Sequence, residues 1–359
     1  MPITSSRPRR RQVTLTEVAQ SVGVSVSTAS NAYNRPDQLS EKLRRRILET
    51  ADNLGYQGPD PAARAMARRR YDAIGLVVSE RFSYAFHSMA GIEVLRGVAT
   101  ACDQAGVALT LLPLRSDTAE CPLIGRAAID AIGLYALMDD APAIGQALKR
   151  GLPLVTVDQP KVAGVPFIGI DDEAAARRAA EYLISLGHQR LGVLSLPVTP
   201  GQSGTVLNNL NSEDVRYRVT RERLRGYISA TRSHNLPDPV VFVAGLSSAA
   251  AGQAAASAIL SAGASRPTAL LCMSDELAIG AEIAAESLGI RVPDQLSVIG
   301  FDNFPGTSPA RVPLTTISQN AYERGLLLGT WLTHPEAQSE ARILGTDLII
   351  RESTGVPPS

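Results

Sequence analysis

From residue 72 to the end of the chain, short apolar runs alternate with segments that suit helices. The runs cover residues 73–78, 107–112, 152–157, 191–196, 240–243, 268–273 and 296–300. Helix-compatible segments lie between most of them, at residues 91–105, 172–186, 248–262 and 276–288. Continuous apolar strands that alternate with helices are typical of parallel sheets covered by helices on both faces. The pattern therefore predicts an α/β fold for the greater part of the chain.

The length of this α/β region indicates how many sheets it forms. The chain has 359 residues, of which 45% are hydrophobic and 19% are charged, so it can bury large cores. A region of roughly 280 residues is long for one sheet, and two α/β subdomains with a cleft between them are expected. We expect residues 72–170 with 302–328 in the first subdomain and residues 171–301 with 329–359 in the second. Residues 197–215, rich in Gly, Asn, Ser and Thr, are expected to form a loop near a strand end.

The charge of the chain is distributed unevenly. Residues 1–71 hold 13 Lys and Arg against 6 Asp and Glu, whereas the remaining residues hold 22 against 29. A small basic head on a larger acidic body favours a polyanionic partner for the head alone. The alternative is a basic tail that is simply solvated.

The basic head has the pattern of three short helices. The predicted helix caps are Thr14 or Thr16, Ser25 and Ser40, and the predicted helix ends are Gly23, Asn34 and Gly55. In the third helix the apolar residues at helical spacing are Leu43, Ile47, Ala51 and Leu54. Two short helices joined by a tight glycine turn, with a third packed behind them, form a helix-turn-helix. We expect this head at residues 1–58, followed by a hinge helix or linker at residues 59–71.

The second helix of the head carries small polar residues on one side. Ala29 and Ala32 are expected to face the other two helices, which leaves Val26, Ser27 and Asn31 pointing outward. A side-chain amide can pair with adenine in the DNA major groove, and valine can contact the methyl group of thymine. Short hydroxyl and amide side chains nearby suit phosphate contacts, namely Ser25, Thr28, Ser30 and Asn34. The alternative is a polar surface helix without a partner.

The motifs together resemble one family along nearly the whole chain. The head segments "VTLTEVAQSVGVSVSTASNAYN", "LSEKLRRRILETADNLGY" and "DPAARAM" resemble the DNA-binding head and hinge of the lactose-repressor (LacI/GalR) family. The core segments "GIDDEAAARRAAEYLISLGHQRLGVLS", "RERLRGY" and "TALLCMSDELAIGAEIAAESLGIRVPDQLSVIGFDN" resemble its effector-binding core. The resemblance implies an all-α helix-turn-helix head and an α/β core of two doubly wound subdomains, similar to periplasmic sugar-binding proteins.

The resemblance also implies roles for individual residues. Base edges would meet Val26, Ser27 and Asn31, and the DNA backbone would meet Ser25, Thr28, Ser30 and Asn34. The hinge would enter the minor groove through Ala62, Ala63 and Met66, with Met66 as an apolar wedge between base pairs. The alternative for the hinge is a solvated linker helix.

The effector site implied for the core combines charged and aromatic residues. In the family the residues matching Asp275 and Arg223 bind the ligand, and Asp302 follows a strand end near the cleft. Aromatic side chains on which a sugar ring could stack are Phe82, Tyr84 and Phe86. Asp275 could instead be only a helix cap, and the aromatic residues could serve local packing or dimer contact.

Sequence motifs for catalysis and for cofactors are missing. The four histidines are far apart, no phosphate-binding glycine loop occurs, and three cysteines fit no metal-ligand pattern. His188 is expected to cap a helix end rather than to act as an acid or base. We therefore expect no enzymatic activity, no cofactor and no metal. The basic N-terminus leads into no apolar segment and no long apolar run occurs, so a cytoplasmic, nucleoid-associated protein is expected.

These observations predict a ligand-responsive transcriptional repressor. It would bind a pseudo-palindromic DNA operator as a homodimer, and a small sugar or sugar derivative would bind in the core cleft. Two alternatives from other classes are a solute-binding protein for transport and a sugar-modifying α/β enzyme. The attached basic head argues against the first, and the lack of convergent acid and base residues argues against the second.

Overall fold

The structure is a computed structural model that describes residues 13–58, 68, 70–78, 88–115, 118–207, 214–304 and 312–358. The chain divides into two compact units, Met1–Tyr71 and Asp72–Ser359, which are described separately below as the head and the core. Within the described residues no helix is both long and apolar enough to cross a lipid bilayer.

Residues 13–58 of the head form a bundle of three helices whose ends are fixed by specific caps. They are α1 (Leu15–Val22), α2 (Val26–Asn34) and α3 (Glu41–Leu54), with a 3₁₀ turn at Pro36–Gln38. Thr14 caps α1 in a capping box, because its hydroxyl accepts from the Glu17 amide and its own amide donates to the Glu17 carboxylate. Ser25 and Ser40 cap α2 and α3, as predicted.

Small and branched side chains form the centre of the head. The buried residues are Val18, Ala19, Val22, Ala29, Ala32, Ile47 and Ala51. Ala29 and Ala32 therefore face inward, as predicted from their spacing. Leu54 was expected to continue the apolar stripe of α3, but 40% of it is exposed. Leu54 is the last residue of α3, directly before the cap residue Gly55.

The core consists of strands and helices arranged around two sheets. Its strands are β1 (Ala73–Val78), β2 (Ala108–Pro113), β3 (Ala131–Tyr135), β4 (Leu154–Val157), β5 (Phe167–Ile170), β6 (Leu191–Ser195), β7 (Thr205–Leu207), β8 (Val240–Val243), β9 (Ala269–Cys272), β10 (Ser297–Asp302), β11 (Thr315–Ser318), β12 (Ala341–Leu344) and β13 (Asp347–Ile349). Its helices are α4 (Met89–Ala105), α5 (Pro142–Arg150), α6 (Asp172–Ser185), α7 (Arg218–Ser233), α8 (Ala249–Leu260), α9 (Asp275–Ser287) and α10 (Ala321–Thr333). Each of the seven predicted apolar runs overlaps a strand, namely β1, β2, β4, β6, β8, β9 and β10.

The two sheets are built mainly of parallel strands. The first has the order β12-β5-β4-β3-β1-β2 and is parallel throughout. The second has the order β13-β11-β10-β9-β6-β8-β7, and its two edge strands, β13 and β7, run antiparallel to their neighbours. Strand β7 lies inside the segment that was predicted to be a loop. It is only three residues long, and its edge pairing with β8 is a long-range contact that composition does not reveal.

Helices cover both faces of each sheet. In the second sheet Leu271 and Ile299 pack toward α6 and α7, whereas Leu270 and Val298 pack toward α8 and α9. In the first sheet the two faces pack against α5 and against the pair α4 and α10. Successive strand residues alternate between these two apolar layers, which explains why the strands are apolar along their whole length. Cys102, Cys121 and Cys272 are buried, as expected for core thiols.

The chain crosses between the two sheets at points that differ from the expected boundaries. Strand β11 pairs with β10 in the second sheet, although residues 302–328 were assigned to the first subdomain. Helix α10 packs on α4 in the first subdomain, as assigned for its residues 321–328, and β13 pairs with β11 in the second sheet, as assigned. Strand β12 pairs with β5 in the first sheet, although residues 329–359 were assigned to the second. The crossings therefore follow β5, β11 and β12. Strand pairing across the chain decides these positions, and apolar runs alone do not indicate the partner of a strand.

Candidate functional site

The outward face of α2 is polar and formed by small side chains. Val26 is 44% exposed, Ser25 and Ser27 are exposed, and Asn31 is half-buried. This face lies opposite Ala29 and Ala32, which are fully buried. The predicted base-contacting residues Val26, Ser27 and Asn31 therefore all lie at or near the surface of the head.

Hydrogen bonds within the head order several of these side chains. The Ser25 hydroxyl caps the helix by accepting from the Thr28 amide at 3.0 Å, and it also lies 2.8 Å from the hydroxyl of Ser27. The Asn34 side chain donates to the hydroxyl of Ser30 at 3.1 Å, and its Oδ1 is buried without a hydrogen-bond partner. Of the predicted backbone-contacting residues, Asn34 is thus the one that turns toward the head itself.

Two arginines of α3 donate hydrogen bonds to the other two helices of the head, a role that the sequence did not indicate. Arg44 donates to the carbonyl oxygen of Ala32, and Arg46 donates to the carbonyl oxygen of Val22 at 3.1 Å. Both carbonyls lie near the C-terminal end of a helix, where carbonyl groups lack partners within the helix. Part of the positive charge of the head therefore holds α1 and α2 against α3.

Two groups of predicted site residues lie outside the described residues. They are the hinge residues Ala62, Ala63 and Met66 and the aromatic residues Phe82, Tyr84 and Phe86.

A cleft lies between the two sheets of the core. It has an empty volume of about 1030 Å³, including the solvent at its mouth. The first sheet contributes Tyr135, Asp158 and Gln159, and the second contributes Arg223, Ser247 and Asp302. These residues lie at the carboxyl ends of strands or on the helices that follow them. In α/β sheets, ligands bind at this edge. Gln319, on the crossing after β11, also lines the cleft.

Arg223 is the buried cation of the cleft. Its guanidinium group donates to Asp172 at 2.8 Å and to the carbonyl oxygen of Met273 at 2.7 Å, and it stacks on the ring of Phe301. Burial by itself lowers the pKa of Arg223, but the charges of Asp172 and Asp302 outweigh burial and raise it above its ordinary value. Arg223 therefore stays charged, and its plane is fixed before any ligand arrives.

Asp275 does not line the cleft, contrary to the expectation that it meets ligand hydroxyls. It is fully buried, and its carboxylate accepts from the Thr316 hydroxyl at 2.5 Å and from the Asn303 amide at 2.8 Å. The alternative of a helix cap is also wrong, because Ser274 caps α9. Asp275 instead ties the start of α9 to the ends of β10 and β11.

Asp302 lines the cleft, as predicted, and joins a polar chain that crosses between the sheets. Its carboxylate accepts from the Asp275 amide and from the Gln319 side chain. The Gln319 carbonyl accepts from Arg324, which pairs in turn with Asp158. Burial raises the pKa of Asp302 well above its usual range, with a further rise from the charge of Asp275.

Asp158 and Gln159 are cleft residues that sequence reasoning missed. They directly follow β4, and the run "LVTVDQ" therefore contained the signal, since polar residues after a buried strand mark its functional end. Arg324 and Asp172 lacked any such signal, because each becomes part of the site only through a partner distant in sequence.

Further contacts bridge the two sides of the cleft. Arg221 pairs with Asp139 at 3.0 Å, and Arg216 pairs with Asp140. The amide of Val219 donates to the Gln159 side chain at 3.0 Å. In this structure the start of α7 and the residues just before it are therefore held against the loops that follow β3 and β4.

Hydrogen bonds hold the polar side chains of the cleft in fixed positions. The carboxylate of Asp158 accepts from Arg324, and that of Asp302 accepts from the Gln319 side chain. Among the described residues no group of His, Cys, Asp and Glu has the geometry to hold a metal ion. Fixed donors and acceptors of this kind suit a ligand with many hydroxyl groups.

Two family models match the chain. The model described as "Bacterial regulatory proteins, lacI family" matches residues 14–58, and the model described as "Periplasmic binding protein-like domain" matches residues 180–354. These matches correspond to the described helices of the head and to the larger part of the core.

Solved structures are similar over most of the chain. A LacI-family transcriptional regulator from Corynebacterium glutamicum is 30% identical, with a TM-score of 0.70, and the match covers 97% of this chain and 100% of that one. The complex of the regulator CelR with cellobiose is 25% identical, with a TM-score of 0.65, over 95% of this chain and 100% of that one. The lac repressor dimer bound to operator and an anti-inducer, at 24% identity and a TM-score of 0.77, covers 96% of this chain and 100% of its own and supports the fold alone.

Two transcriptional regulators are related over nearly their whole length. The HTH-type transcriptional regulator Rv3575c of Mycobacterium tuberculosis is 37% identical, over 98% of this chain and 99% of that protein. The HTH-type transcriptional repressor CytR of Escherichia coli is 30% identical, again over 98% and 99%. The head, the core and the order in which they occur are thus shared with these regulators, and the chain belongs to the LacI family of bacterial transcriptional regulators.

Proposed function

We propose that this protein is a sequence-specific DNA-binding repressor whose affinity for its operator changes when a small sugar-like effector binds in the core cleft. The observation that carries the proposal is a head helix with a small polar outward face, on the same chain as a cleft lined by polar side chains from both sheets. The names of the relatives, including the repressor CytR, support the regulatory role.

In the proposed complex α2 enters the major groove of the operator. Val26, Ser27 and Asn31 meet base edges, because small exposed side chains allow the helix to lie deep in the groove. The backbone contacts come from Ser25, Thr28, Ser30 and Asn34, together with the amide groups at the start of α2. Asn34 contributes least, because its Oδ1 is buried.

Two heads and two hinges complete the proposed DNA complex. A homodimer places its heads in neighbouring major-groove half-sites of a pseudo-palindromic operator. The hinge residues Ala62, Ala63 and Met66 enter the minor groove between them, with Met66 as the wedge. This part of the proposal rests on the family resemblance of the hinge segment.

The proposed effector is a sugar or a sugar derivative that is bound from both sides of the cleft. Arg223 donates from the second subdomain, and Asp302 accepts beside it, while Asp275 keeps the strand end that carries Asp302 in place. Phe82, Tyr84 and Phe86 follow β1 and would supply the aromatic face for a sugar ring. The complex of CelR with cellobiose supports this class of effector.

The effector and the operator are linked through the closure of the cleft. The pairs Arg221–Asp139 and Arg216–Asp140 join the two subdomains, so a ligand that binds between the subdomains changes the balance between open and closed cores. By thermodynamic linkage, an effector that changes operator affinity has its own affinity changed by the operator to the same degree.

The proposal places the protein in the cytoplasm, associated with the nucleoid, and assigns it no catalytic activity. The relatives are regulators, which supports this assignment over a solute-binding protein or a sugar-modifying enzyme. Neither of those alternatives requires sequence-specific binding to duplex DNA.

Binding to selected duplexes tests the proposal. Duplexes are first selected from a random library with the full-length protein, and their affinity is then measured by fluorescence anisotropy with a panel of sugars. We expect at least one sugar to change the affinity, and deletion of residues 1–58 to abolish binding. If the protein selects no sequence, the regulatory function is wrong; if no sugar changes the affinity, the effector class is wrong.

A further inference from the structure

One hydrogen bond joins α2 to the turn that follows it. The Nδ2 group of Asn31 donates to Oε1 of Gln38 at 3.2 Å. Asn31 lies on the outward side of α2, and Gln38 is the last residue of the 3₁₀ turn Pro36–Gln38. The bond therefore connects the one amide side chain predicted to contact a base with a second, exposed amide outside the helix.

The turn holds the backbone of Gln38 in a fixed position relative to α2. Its first residue is Pro36, and the amides of Gln38 and Leu39 donate to the carbonyls of Arg35 and Pro36 at 3.1 and 3.2 Å. The Arg35 amide donates to the Asn31 carbonyl at 2.9 Å, which ties the turn to the last turn of α2. Leu39 packs against the apolar centre of the head. Gln38 is thus presented to Asn31 by an ordered backbone.

The bond couples the orientation of the Asn31 amide to that of the Gln38 amide. An asparagine side chain carries an acceptor oxygen on one side and a donor NH₂ group on the other, and rotation by half a turn exchanges them. In the structure Oε1 of Gln38 accepts from the NH₂ side of Asn31, and the opposite orientation of Asn31 would keep the bond only if the Gln38 amide also rotated. The second N–H and the oxygen of Asn31 remain for other partners. Adenine offers a matching acceptor and donor in the major groove, at N7 and N6.

We propose that Gln38 is a positioning residue that sets the base preference of α2 by fixing the orientation of the Asn31 amide. This inference rests on the proposed DNA-binding function. In this proposal the turn after α2 contributes to sequence discrimination, although Gln38 itself does not contact a base.

The test compares base discrimination at one operator position. Duplexes selected by the wild-type full-length protein are varied one base pair at a time, and the position at which Asn31→Ala loses discrimination is identified by competition binding. At that position we expect the wild type to discriminate by about 5- to 150-fold, which corresponds to one good bidentate contact. Gln38→Ala is expected to reduce this ratio at least threefold there and to leave the ratios at other positions unchanged.

A conservative variant separates positioning from a phosphate contact. Gln38→Glu keeps the acceptor for the Asn31 amide, so it should retain the base preference at the Asn31 position even if its charge weakens binding to all duplexes alike. Gln38 is exposed, and both variants should melt at the wild-type temperature. Equal weakening of all duplexes by Gln38→Ala, or an unchanged ratio at the Asn31 position, would overturn the inference. Failure of the wild type to select any sequence would instead refute the proposed DNA-binding function.

Discussion

Arg223 occupies the cleft between Asp172 and the Met273 carbonyl, over the ring of Phe301. Both members of the Arg223–Asp172 pair are nearly inaccessible to water, with 5% and 3% of their side chains exposed. A buried charge that loses its partner keeps the cost of desolvation without the attraction that offset it. The residue that we expect to bind the effector is therefore also one on which the folded core depends.

Replacement of Arg223 tests this dependence. Arg223→Met leaves the Asp172 carboxylate buried without its partner, and we expect a loss of about 3–5 kcal/mol in the free energy of unfolding. Urea unfolding can be followed by the fluorescence of Trp331, the single tryptophan of the chain, which is buried. The matched control is Arg177→Ala, since the pair of Arg177 with Glu181 is exposed and should contribute less than about 1 kcal/mol. A similar small loss in both variants would contradict the prediction.

His188 provides a second test at this scale. Its backbone amide donates to the Leu183 carbonyl at 3.2 Å and so caps the end of α6, as expected from the sequence. Its ring is buried between the Thr268 hydroxyl and the Gly355 carbonyl, which holds the C-terminal segment on the second sheet. Burial lowers the pKa of His188 below its ordinary value. The unfolded chain therefore takes up a proton that the folded chain resists as the pH falls through the ordinary value near 6.5.

We expect His188 to lower the free energy of unfolding as the solution becomes acidic. The wild type should lose more unfolding free energy between pH 7.5 and pH 5.5 than His188→Gln, which has no proton to bind. The comparison between the two proteins removes the contributions of the carboxyl groups, which are common to both. Equal losses in the two proteins would show that His188 does not resist protonation.

Glycine decides how closely three pairs of helices pack in the core. The pairs are α4 with α10, α6 with α7, and α8 with α9. A Cβ atom at Gly97 would overlap the backbone oxygen of Tyr322, one at Gly226 that of Glu173, and one at Gly280 that of Ala249. In each pair the backbone of one helix therefore lies directly against a glycine of the other, and no side chain fits between them.

An alanine scan of helical glycines tests this packing. Glycine to alanine in a helix normally stabilises by roughly 0.5–1 kcal/mol, but Gly97→Ala should destabilise the core by about 1–3 kcal/mol, because α4 and α10 must move apart. Gly145→Ala in α5 is the matched control, since no atom lies within 4 Å of the added methyl group, and it should stabilise. Urea unfolding measures both. Stabilisation by Gly97→Ala would mean that the helices are not in close contact there.

The elements differ in how well the sequence predicts them. The helices of the head follow from their caps and turn glycine, and strands such as β1 and β8 follow from uninterrupted apolar runs, because these signals are local. Strands β5 and β12 were missed, because β5 contains Gly169 and β12 contains Arg342 and is largely exposed, so neither is an uninterrupted apolar run. The same limit applies to the site. Asp302 was found from its position after a strand, whereas the part played by Asp275 depends on Thr316 and Asn303, which reach it only through the fold.

At the scale of the whole core, the two subdomains are joined by charges at the cleft mouth. The Arg221–Asp139 and Arg216–Asp140 pairs are partly exposed, so each is worth at most about 1 kcal/mol and is weakened by salt. Together they favour a core in which α7 lies against the loops after β3 and β4. A ligand that needs the closed cleft gains affinity from them.

Neutralising both aspartates measures this contribution. Asp139→Asn combined with Asp140→Asn should weaken binding of a sugar effector by about 2- to 20-fold, in proportion to the energy of two partly exposed pairs. Added salt should weaken effector binding to the wild type more than to the variant. Isothermal titration calorimetry provides both values. Asp294→Asn, which removes an exposed pair within one subdomain, is the control and should have no effect. An unchanged affinity in the double variant would show that the pairs do not close the cleft.

The most direct test of the account measures operator affinity with and without a sugar effector, in the wild type and in Asp302→Asn. Fluorescence anisotropy with a duplex selected by the wild type is the measurement. If the cleft controls the head, the sugar changes the operator affinity of the wild type, and Asp302→Asn binds the operator with wild-type affinity but responds to the sugar much less. A wild-type operator affinity that no sugar changes, or an unaltered sugar response in Asp302→Asn, would contradict the link between the cleft and DNA binding.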